Sequence, residues 1–248
     1  MSSSKPLLAF FGATGGSTIS ALVPALKDSY DCLALVRTPS KLTSLLLEKG
    51  VSQSSIDAHL HITSGDVLKS AHVKASLTLN GRCADIIISG IGVPAFMAKE
   101  EITICRNGVT NILTALREIK PENKPLLIAL STTGIARGGE KKDLPLLMKP
   151  LYTYGLHAPH EDKTAMEGLI VGEVGKGEES MIRGFVMPRP SMLADGKAKG
   201  LGKIRVGTET EPAVGYAINR DDVGMWVYEK VVKEEGGKWV GRKPTLTY

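Results

Sequence analysis

Residues 6–18 read Pro-Leu-Leu-Ala-Phe-Phe-Gly-Ala-Thr-Gly-Gly-Ser-Thr, and this stretch decides the fold. The apolar run over residues 7–11 predicts a buried strand of a parallel sheet. The amphipathic segment 19–26 predicts a helix, and a glycine-rich turn joins the two. This order of elements binds the pyrophosphate of a dinucleotide, because free N–H groups at the start of the helix favour negative charge.

The small residues of the turn are the candidates for phosphate contact. Gly12 permits the tight turn, and Gly15 lets the backbone approach the phosphates. Thr18 occupies the position at which the dinucleotide fingerprint has a third glycine, which predicts a more open first helical turn or a shifted register. The alternative is an ordinary glycine-containing loop. The full candidate set is Gly12, Thr14, Gly15, Gly16, Ser17 and Thr18, the last two through their hydroxyls.

The end of the second predicted strand, residues 32–37, indicates which dinucleotide is bound. In this architecture an acidic residue there contacts the 2′-hydroxyl of NAD, whereas an arginine accommodates the 2′-phosphate of NADP. This chain has Arg37 at the strand end and Lys41 shortly after it, and offers neither Asp nor Glu there. A planar guanidinium suits a phosphate dianion, and a lysine adds a point charge. The sequence therefore favours NADP(H) as the cofactor; the alternative is a solvated basic loop.

Strand-like and helical segments alternate along the rest of the chain. Further strands are predicted over residues 60–63, 85–91, 125–130 and 181–187, and helices over 101–119, 165–171 and 220–233. This alternation predicts an α/β protein with a Rossmann-type, doubly wound parallel sheet in one domain, residues 1–248. We interpret the long irregular stretch 136–159 as a substrate lid, and expect the C-terminal region to complete the substrate site.

Further small and polar residues follow the predicted strands at the edge of the sheet where such proteins bind ligands. Asp66 and Val67 follow the third strand, where we expect them to flank the adenine. Gly90 and Gly92 follow the fourth strand, where they would let the backbone pass close to the nicotinamide ribose. Plain turns are the alternative at each place.

Composition narrows the class of protein further. The chain has 248 residues, of which 42% are hydrophobic, but no run of about 18 apolar residues that would cross a membrane. The net charge is +5, and the basic clusters lack interleaved aromatic residues, so we expect no nucleic-acid partner. The three cysteines lack metal-ligand spacing, and the N-terminus lacks an apolar signal core, so we expect a cytoplasmic protein without a metal. The expected partner is a small-molecule substrate, and the oligomeric state stays open.

Short motifs in a fixed order resemble those of a known family. They are Phe11-Gly-Ala-Thr-Gly15, Leu35-Val-Arg-Thr-Pro-Ser-Lys-Leu42, Gly65-Asp-Val67, the hydroxyl cluster after the fifth strand, Asp162-Lys-Thr-Ala-Met-Glu167, Met187-Pro-Arg-Pro190 and Asn219-Arg-Asp-Asp-Val-Gly224. Together they resemble the atypical short-chain dehydrogenase/reductases, specifically the NAD(P)H-binding, NmrA-like branch that includes flavin reductase (biliverdin-IXβ reductase). The resemblance implies NADP(H) as cofactor and a substrate pocket between the strand ends and the C-terminal third.

The same resemblance suggests catalytic residues. Ordinary short-chain reductases carry a tyrosine four residues before a lysine; Lys163 matches the lysine that holds the nicotinamide ribose, but Pro159 stands at the tyrosine position. Glu167 falls one turn after Lys163 and is expected to pair with it. Hydroxyls after the fifth strand would orient the substrate. A histidine, His157 or His160, or a lid tyrosine, Tyr152 or Tyr154, would supply the proton. The catalytic candidates are Lys163, Ser131, Thr132, His160 and Tyr154.

These residues predict an NADPH-dependent oxidoreductase that transfers hydride to a small conjugated or carbonyl-bearing organic substrate. A role in secondary-metabolite biosynthesis fits a divergent reductase with a long lid. One alternative is a non-catalytic, NADP(H)-sensing regulator, which the absent tyrosine favours. A second alternative is an NADP(H)-binding isomerase or cyclase, in which the dinucleotide shapes the pocket.

Overall fold

A six-stranded parallel sheet forms the centre of the molecule. The computed structural model describes residues 5–93 and 103–248. Their strands are β1 (Leu8–Phe11), β2 (Cys32–Val36), β3 (Leu60–Ser64), β4 (Thr78–Leu79), β5 (Arg82–Cys83), β6 (Ile86–Ser89), β7 (Leu126–Ala129), β8 (Gly184–Val186), β9 (Arg189–Pro190), β10 (Met192–Ala194), β11 (Arg205–Gly207), β12 (Ala217–Asn219) and β13 (Thr245–Thr247). The central order is β3-β2-β1-β6-β7-β8, all parallel. The order switches direction between β1 and β6, and in this class ligands bind at that point.

Helices cover both faces of the sheet. They are α1 (Gly16–Lys27), α2 (Pro39–Glu48), α3 (Gln53–His59), α4 (Ser70–Ala75), α5 (Ile104–Ile119), α6 (His157–Val174) and α7 (Arg220–Val227). Alternate side chains of β1 enter the two halves of the core, because successive residues of a strand point to opposite faces. Leu8 and Phe10 pack in the cluster that includes residues of α1 and α7, whereas Ala9 and Phe11 pack in the one with α5 and α6.

The predicted fold class, an α/β doubly wound parallel sheet in a single domain, is confirmed. The predicted helix 220–233 is shorter in the structure: α7 ends at Val227, and the chain continues as the π-helical turn Tyr228–Val232. The predicted helix 101–119 corresponds to α5, and its first two residues lie outside the described residues. The short strands β4, β5 and β9 to β13 were not predicted, because two or three residues carry too little periodicity. Within the described ranges, no helix is long and apolar enough to cross a membrane.

Thr18 fits its position because a glycine faces it. A Cβ placed on Gly90, just after β6, would lie 1.8 Å from the Thr18 Oγ1 atom. Gly90 thus gives the space that a third glycine in the fingerprint would otherwise give. Helix α1 begins at Gly16 with Thr18 buried in its first turn. The structure therefore needs neither the open first turn nor the shifted register expected from the sequence.

The predicted lid, residues 136–159, is only partly irregular. It contains a 3₁₀ turn (Leu146–Met148), a π-helical turn (Leu151–Gly155) and the first turn of α6. Its beginning is held to the body of the protein, because the Glu140 carboxylate accepts hydrogen bonds from Arg189 Nη1 and Lys243 Nζ, both at 2.7 Å. The irregular prediction is therefore wrong for the helical turns.

Candidate active site

A cleft of about 640 Å³ lies at the carboxyl ends of the central strands. Every residue predicted to contact the cofactor lines it: Gly12, Thr14, Gly15, Gly16, Ser17, Thr18, Arg37, Lys41, Asp66, Val67, Gly90, Gly92 and Lys163. Ser131 lines it as well. The structure thus brings together residues from five separate strand ends, as the parallel sheet predicts.

The floor of the cleft is shaped for a ligand that approaches the backbone. Gly12 has φ +74°, and a Cβ there would lie 2.8 Å from the Gly90 carbonyl oxygen. A Cβ on Gly16 would lie 2.6 Å from the Cδ atom of Arg220. Any other residue at Gly12 would be strained in both backbone and packing. The two glycines leave a cradle over the start of α1.

The start of α1 carries unused hydrogen-bond donors. No side chain in the described part of the molecule caps this helix, so the first N–H groups point into the cleft, where they favour an anion. The Ser17 Oγ atom is buried and has no hydrogen-bond partner among the described residues. A buried hydroxyl without a partner is unfavourable unless a ligand or water meets it. The cradle, the free N–H groups and Ser17 fit a dinucleotide pyrophosphate.

Two exposed cations lie at the end of β2. Arg37 and Lys41 are exposed, and neither forms an ion pair with any residue in the described ranges. A third cation, Arg220, enters the cleft from α7 and donates through Nη1 to the exposed Asp195 at 2.6 Å. The sequence analysis placed Arg220 in a predicted helix and in a family motif, but not among the residues of the cleft. Only the packing of α7 against α1 brings it there, and no local motif signals that packing.

Lys163 closes the inner end of the cleft. Its Nζ atom donates to the carbonyl oxygens of Ile91 at 2.9 Å and Leu130 at 2.6 Å, which follow β6 and β7. An ammonium has three donors, so one N–H is left for a ligand. The neighbouring Asp162 carboxylate accepts two backbone N–H groups in the first turn of α5, at 2.8 and 2.9 Å, which fixes α6 against α5.

Ser131 is less free than the sequence suggests. Its hydroxyl donates to Glu167 Oε1 at 2.6 Å, so its proton is already engaged. Glu167 also accepts from Arg189, through Nε at 2.9 Å and Nη2 at 2.6 Å. The expected pair between Glu167 and Lys163 is therefore wrong: a bidentate guanidinium holds this carboxylate better than an ammonium does. Ser131 keeps its oxygen as an acceptor toward the cleft.

A second cavity, which we call the chamber, has a volume of about 430 Å³, and two chain segments line both it and the cleft. The loop after β7 runs from Ser131 in the cleft to Gly134 in the chamber, and Lys163 and Thr164 of α6 line the cleft and the chamber in turn. Ile135, Leu144 and Tyr152 give the chamber apolar surface. Basic side chains, namely Arg137, Lys142 and Lys149, also line it.

The candidate proton donors differ in whether they line the chamber. Tyr154 is 86% exposed and lines neither cavity, whereas Tyr152 is buried in the chamber wall. His160 lines the chamber and packs against the Tyr152 ring, with 4.8 Å between ring centroids. Burial lowers the pKa of His160 to about 4, with His157 adding to the effect. His160 is therefore neutral at pH 7 and is not a cationic acid there. Thr132 lines neither cavity.

The fold has a Rossmann-type architecture, and its cleft lies where proteins of this architecture bind their ligands. No family model matches the chain. Over 266 aligned residues it is 48% identical to the reductase pytE of Aspergillus terreus, with 100% of both chains covered. It is 36% identical to the oxidase pynE of Aspergillus niger, covering 98% of this chain and 99% of that protein. The chain belongs to the family of these two fungal oxidoreductases.

Solved structures share the fold at low sequence identity. A short-chain dehydrogenase/reductase (wide type) from Veillonella parvula, in complex with NADP, superposes with a TM-score of 0.68 at 13% identity. That match covers 99% of this chain and 95% of the other. ChuY, an anaerobilin reductase from Escherichia coli, has a TM-score of 0.64 at 18% identity over 97% and 96% of the two chains. These matches agree with the Rossmann architecture of the described residues.

Proposed function

We propose that this protein is an NADPH-dependent oxidoreductase that reduces a small carbonyl-bearing or conjugated organic molecule. The observation that carries the proposal is the pair of exposed cations, Arg37 and Lys41, at the end of β2 in a glycine-lined cleft. A phosphate dianion on the adenosine ribose would neutralise both, which an unsubstituted ribose would not do.

Different residues of the cleft would contact different parts of the cofactor. Gly12, Gly15 and the first turn of α1 would hold the pyrophosphate, with Arg220 as a further cation beside it. Asp66 and Val67 would flank the adenine. The remaining N–H of Lys163 would hold the nicotinamide ribose next to the chamber. A bound NADPH would supply a hydride there.

The chamber is our candidate for the substrate site, because Thr164 in its wall directly follows Lys163, which would hold the nicotinamide ribose. Its apolar surface, including Ile135 and Leu144, suits a conjugated molecule. Ser131, fixed by Glu167, would orient the substrate at the boundary between the two cavities. Since Tyr154 is exposed and His160 neutral at pH 7, a substrate that needs little acid assistance fits best.

The names of the relatives favour an enzyme over a regulator. One is called a reductase and the other an oxidase, and both names describe redox chemistry. A nicotinamide cofactor serves either direction, so a single site architecture is compatible with both names. A place in secondary-metabolite biosynthesis, membership of the NmrA-like branch and a cytoplasmic location stay predictions from the sequence.

Turnover tests the proposal directly. Purified protein is mixed with NADPH and either flavin mononucleotide or 9,10-phenanthrenequinone, and loss of the reduced nicotinamide absorbance is followed. We expect acceptor-dependent oxidation of NADPH that falls on the order of 10²-fold in Lys163→Met, because the ribose loses its anchor. Lys27→Met, at the far end of α1, is the matched control and should be as active as the wild type. Tight NADPH binding without oxidation in the presence of any acceptor would instead support the regulator or the isomerase.

A further inference from the structure

Three basic side chains of the chamber have no acidic partner in the described part of the molecule. Arg137, Lys142 and Lys149 line this cavity and are exposed, and we call them the chamber cations. None of them forms an ion pair with a residue of the described ranges, whereas the buried Arg189 and the partly buried Lys243 are both paired. Unpaired cations that line a cavity attract an anion from solution.

Glu140, the acidic residue between the first two chamber cations in the sequence, does not neutralise either of them. Its carboxylate accepts hydrogen bonds from Arg189 Nη1 and Lys243 Nζ, both at 2.7 Å. Its contact with Arg137 is made by the backbone N–H, at 3.2 Å, and not by the guanidinium. The folded segment therefore directs this acid toward the paired cations and leaves its own bases at the cavity.

The two carboxylates that line the chamber are also engaged elsewhere. Asp143 accepts the Gly134 N–H at 2.9 Å through Oδ1, and its Oδ2 forms an ion pair with Arg189 Nη1 at 4.0 Å. Glu161 has its Oε2 atom 3.5 Å from His157 Nδ1, one turn earlier on α6. Neither carboxylate forms an ion pair with a chamber cation, so an anion for the three cations has to come from outside the described residues.

The chamber combines these charges with apolar walls. Ile135 and Tyr152 are buried, and Leu144 is half-buried. Apolar walls lower the local dielectric constant, so a cation beside them interacts more strongly with an anion than a cation in open water does. An arginine can hold a carboxylate through two parallel N–H groups, and a lysine adds a point charge. A molecule with an apolar body and one acidic group fits both features of the cavity.

We propose that the chamber binds an organic anion: a carbonyl compound with an apolar body and an acidic group, such as a carboxylate, held by the chamber cations. The proposal deepens the reductase function and rests on it for the use of the chamber as the substrate site. The apolar body would lie against Ile135 and Leu144. The proposed cofactor would use other cations, Arg37 and Lys41, so the two requirements can be tested separately.

Calorimetry with two matched compounds tests the proposal. Isatin is a small planar dione, and isatin-5-sulfonate is the same dione with one group that is ionised at pH 7. The protein is saturated with NADP⁺, so that the cations of the cleft are occupied. We expect the sulfonate to bind about five- to tenfold more tightly than isatin at low salt. This preference should shrink as the Debye length falls from about 30 Å at 0.01 M salt to about 3 Å at 1 M.

A triple variant of the chamber cations locates the effect. Arg137→Gln/Lys142→Gln/Lys149→Gln, the chamber variant, should bind the two compounds with affinities within about twofold of each other. Its NADPH affinity should equal that of the wild type, because none of the three residues lines the cleft. Its midpoint of urea denaturation should also be close to that of the wild type, since the three side chains are exposed, and that result shows that the variant is folded.

A second triple variant is the matched control, because it changes the net charge by the same amount. Lys27→Gln/Lys120→Gln/Lys203→Gln removes three exposed lysines that line neither cavity. It should keep the wild-type preference for the sulfonate within about twofold, since these charges are separated from the chamber by the body of the protein or by solvent.

The outcomes separate this proposal from the proposed function. A preference for the sulfonate that is lost only in the chamber variant would support the anion site; if that protein never oxidises NADPH, only the reductase is refuted. Equal binding of the two compounds, or a preference reduced equally in both triple variants, would overturn the anion site, and NADPH oxidation with isatin would then still support the reductase. Failure of the wild type to bind either compound would also overturn the anion site.

Discussion

Two arginines of this molecule show opposite arrangements of the same charge. Arg37 is exposed at the cofactor cleft and has no ion-pair partner among the described residues. Arg189 is 2% exposed and bonds two carboxylates, those of Glu167 and Glu140. Burial of an arginine is tolerated only with such pairing, whereas an unpaired arginine stays in water until an anion arrives. The paired side of the molecule therefore stabilises the fold, and the unpaired side is the one that we propose binds the cofactor.

The largest expected effect is on the paired side. Arg189→Met removes the cation between Glu167 and Glu140 and leaves the buried Glu167 without its bidentate partner. We expect the free energy of unfolding to fall by about 3–5 kcal/mol, measured by urea denaturation. The control is Arg82→Met, which breaks the exposed pair with Asp85 and should cost less than about 1 kcal/mol. Equal losses in both variants would show that Arg189 does not anchor the chamber.

Among the substitutions, the second-largest expected loss of stability comes from crowding between Gly90 and Thr18 in the cleft. Gly90→Ala places a methyl group on the Thr18 hydroxyl and should cost about 1–3 kcal/mol of stability. Thr18→Gly removes that hydroxyl. The stability loss of the double variant should therefore be smaller than the sum of the two single losses by about 1 kcal/mol or more. Gly92→Ala is the matched control, since nothing lies within 4 Å of its added carbon. Simple additivity of the two changes would refute the direct contact.

The burial of His160 in the chamber wall should make the free energy of unfolding depend on pH. The unfolded His160 takes up a proton near its ordinary pKa of 6.5, whereas the folded imidazole does so only at about 4. Between these values the unfolded state binds more protons, so the free energy of unfolding falls as the pH falls through this window. We expect a loss of about 3 kcal/mol between pH 7 and 4. In His160→Gln this loss should disappear from urea titrations between pH 7 and 4, and in a variant of the exposed His157 it should remain.

The smallest effect concerns the third cation of the cleft. Arg220→Ala removes a guanidinium over Gly16 but also frees the exposed Asp195 from its ion pair. We expect NADPH to bind about three- to tenfold more weakly, and the fold to be as stable as before. Fluorescence titration with NADPH measures the change. Unchanged affinity would mean that the pyrophosphate lies away from α7.

The same contrast explains how much the sequence could predict. The cleft was predictable residue by residue, because Gly12, Gly15 and Arg37 sit at strand ends whose order follows from local strand and helix signals. The paired side was not, because Glu167 meets Arg189 only after α6 and β9 have folded together. Arg220 was missed as a cleft residue for the same reason: its motif, Asn219–Gly224, was quoted, but only the packing of α7 against α1 brings Arg220 into the cleft.

The measurement that tests the account most directly compares the affinities for NADPH and NADH in the wild type and in Arg37→Asp. We predict that the wild type binds NADPH more tightly by about 10–100-fold, the contribution of charge-assisted bonds to one phosphate. In Arg37→Asp the preference should vanish or reverse, because an acid at this strand end suits the 2′-hydroxyl of NADH. Equal affinities in the wild type, or an unchanged preference in the variant, would contradict the assignment of NADPH to this cleft.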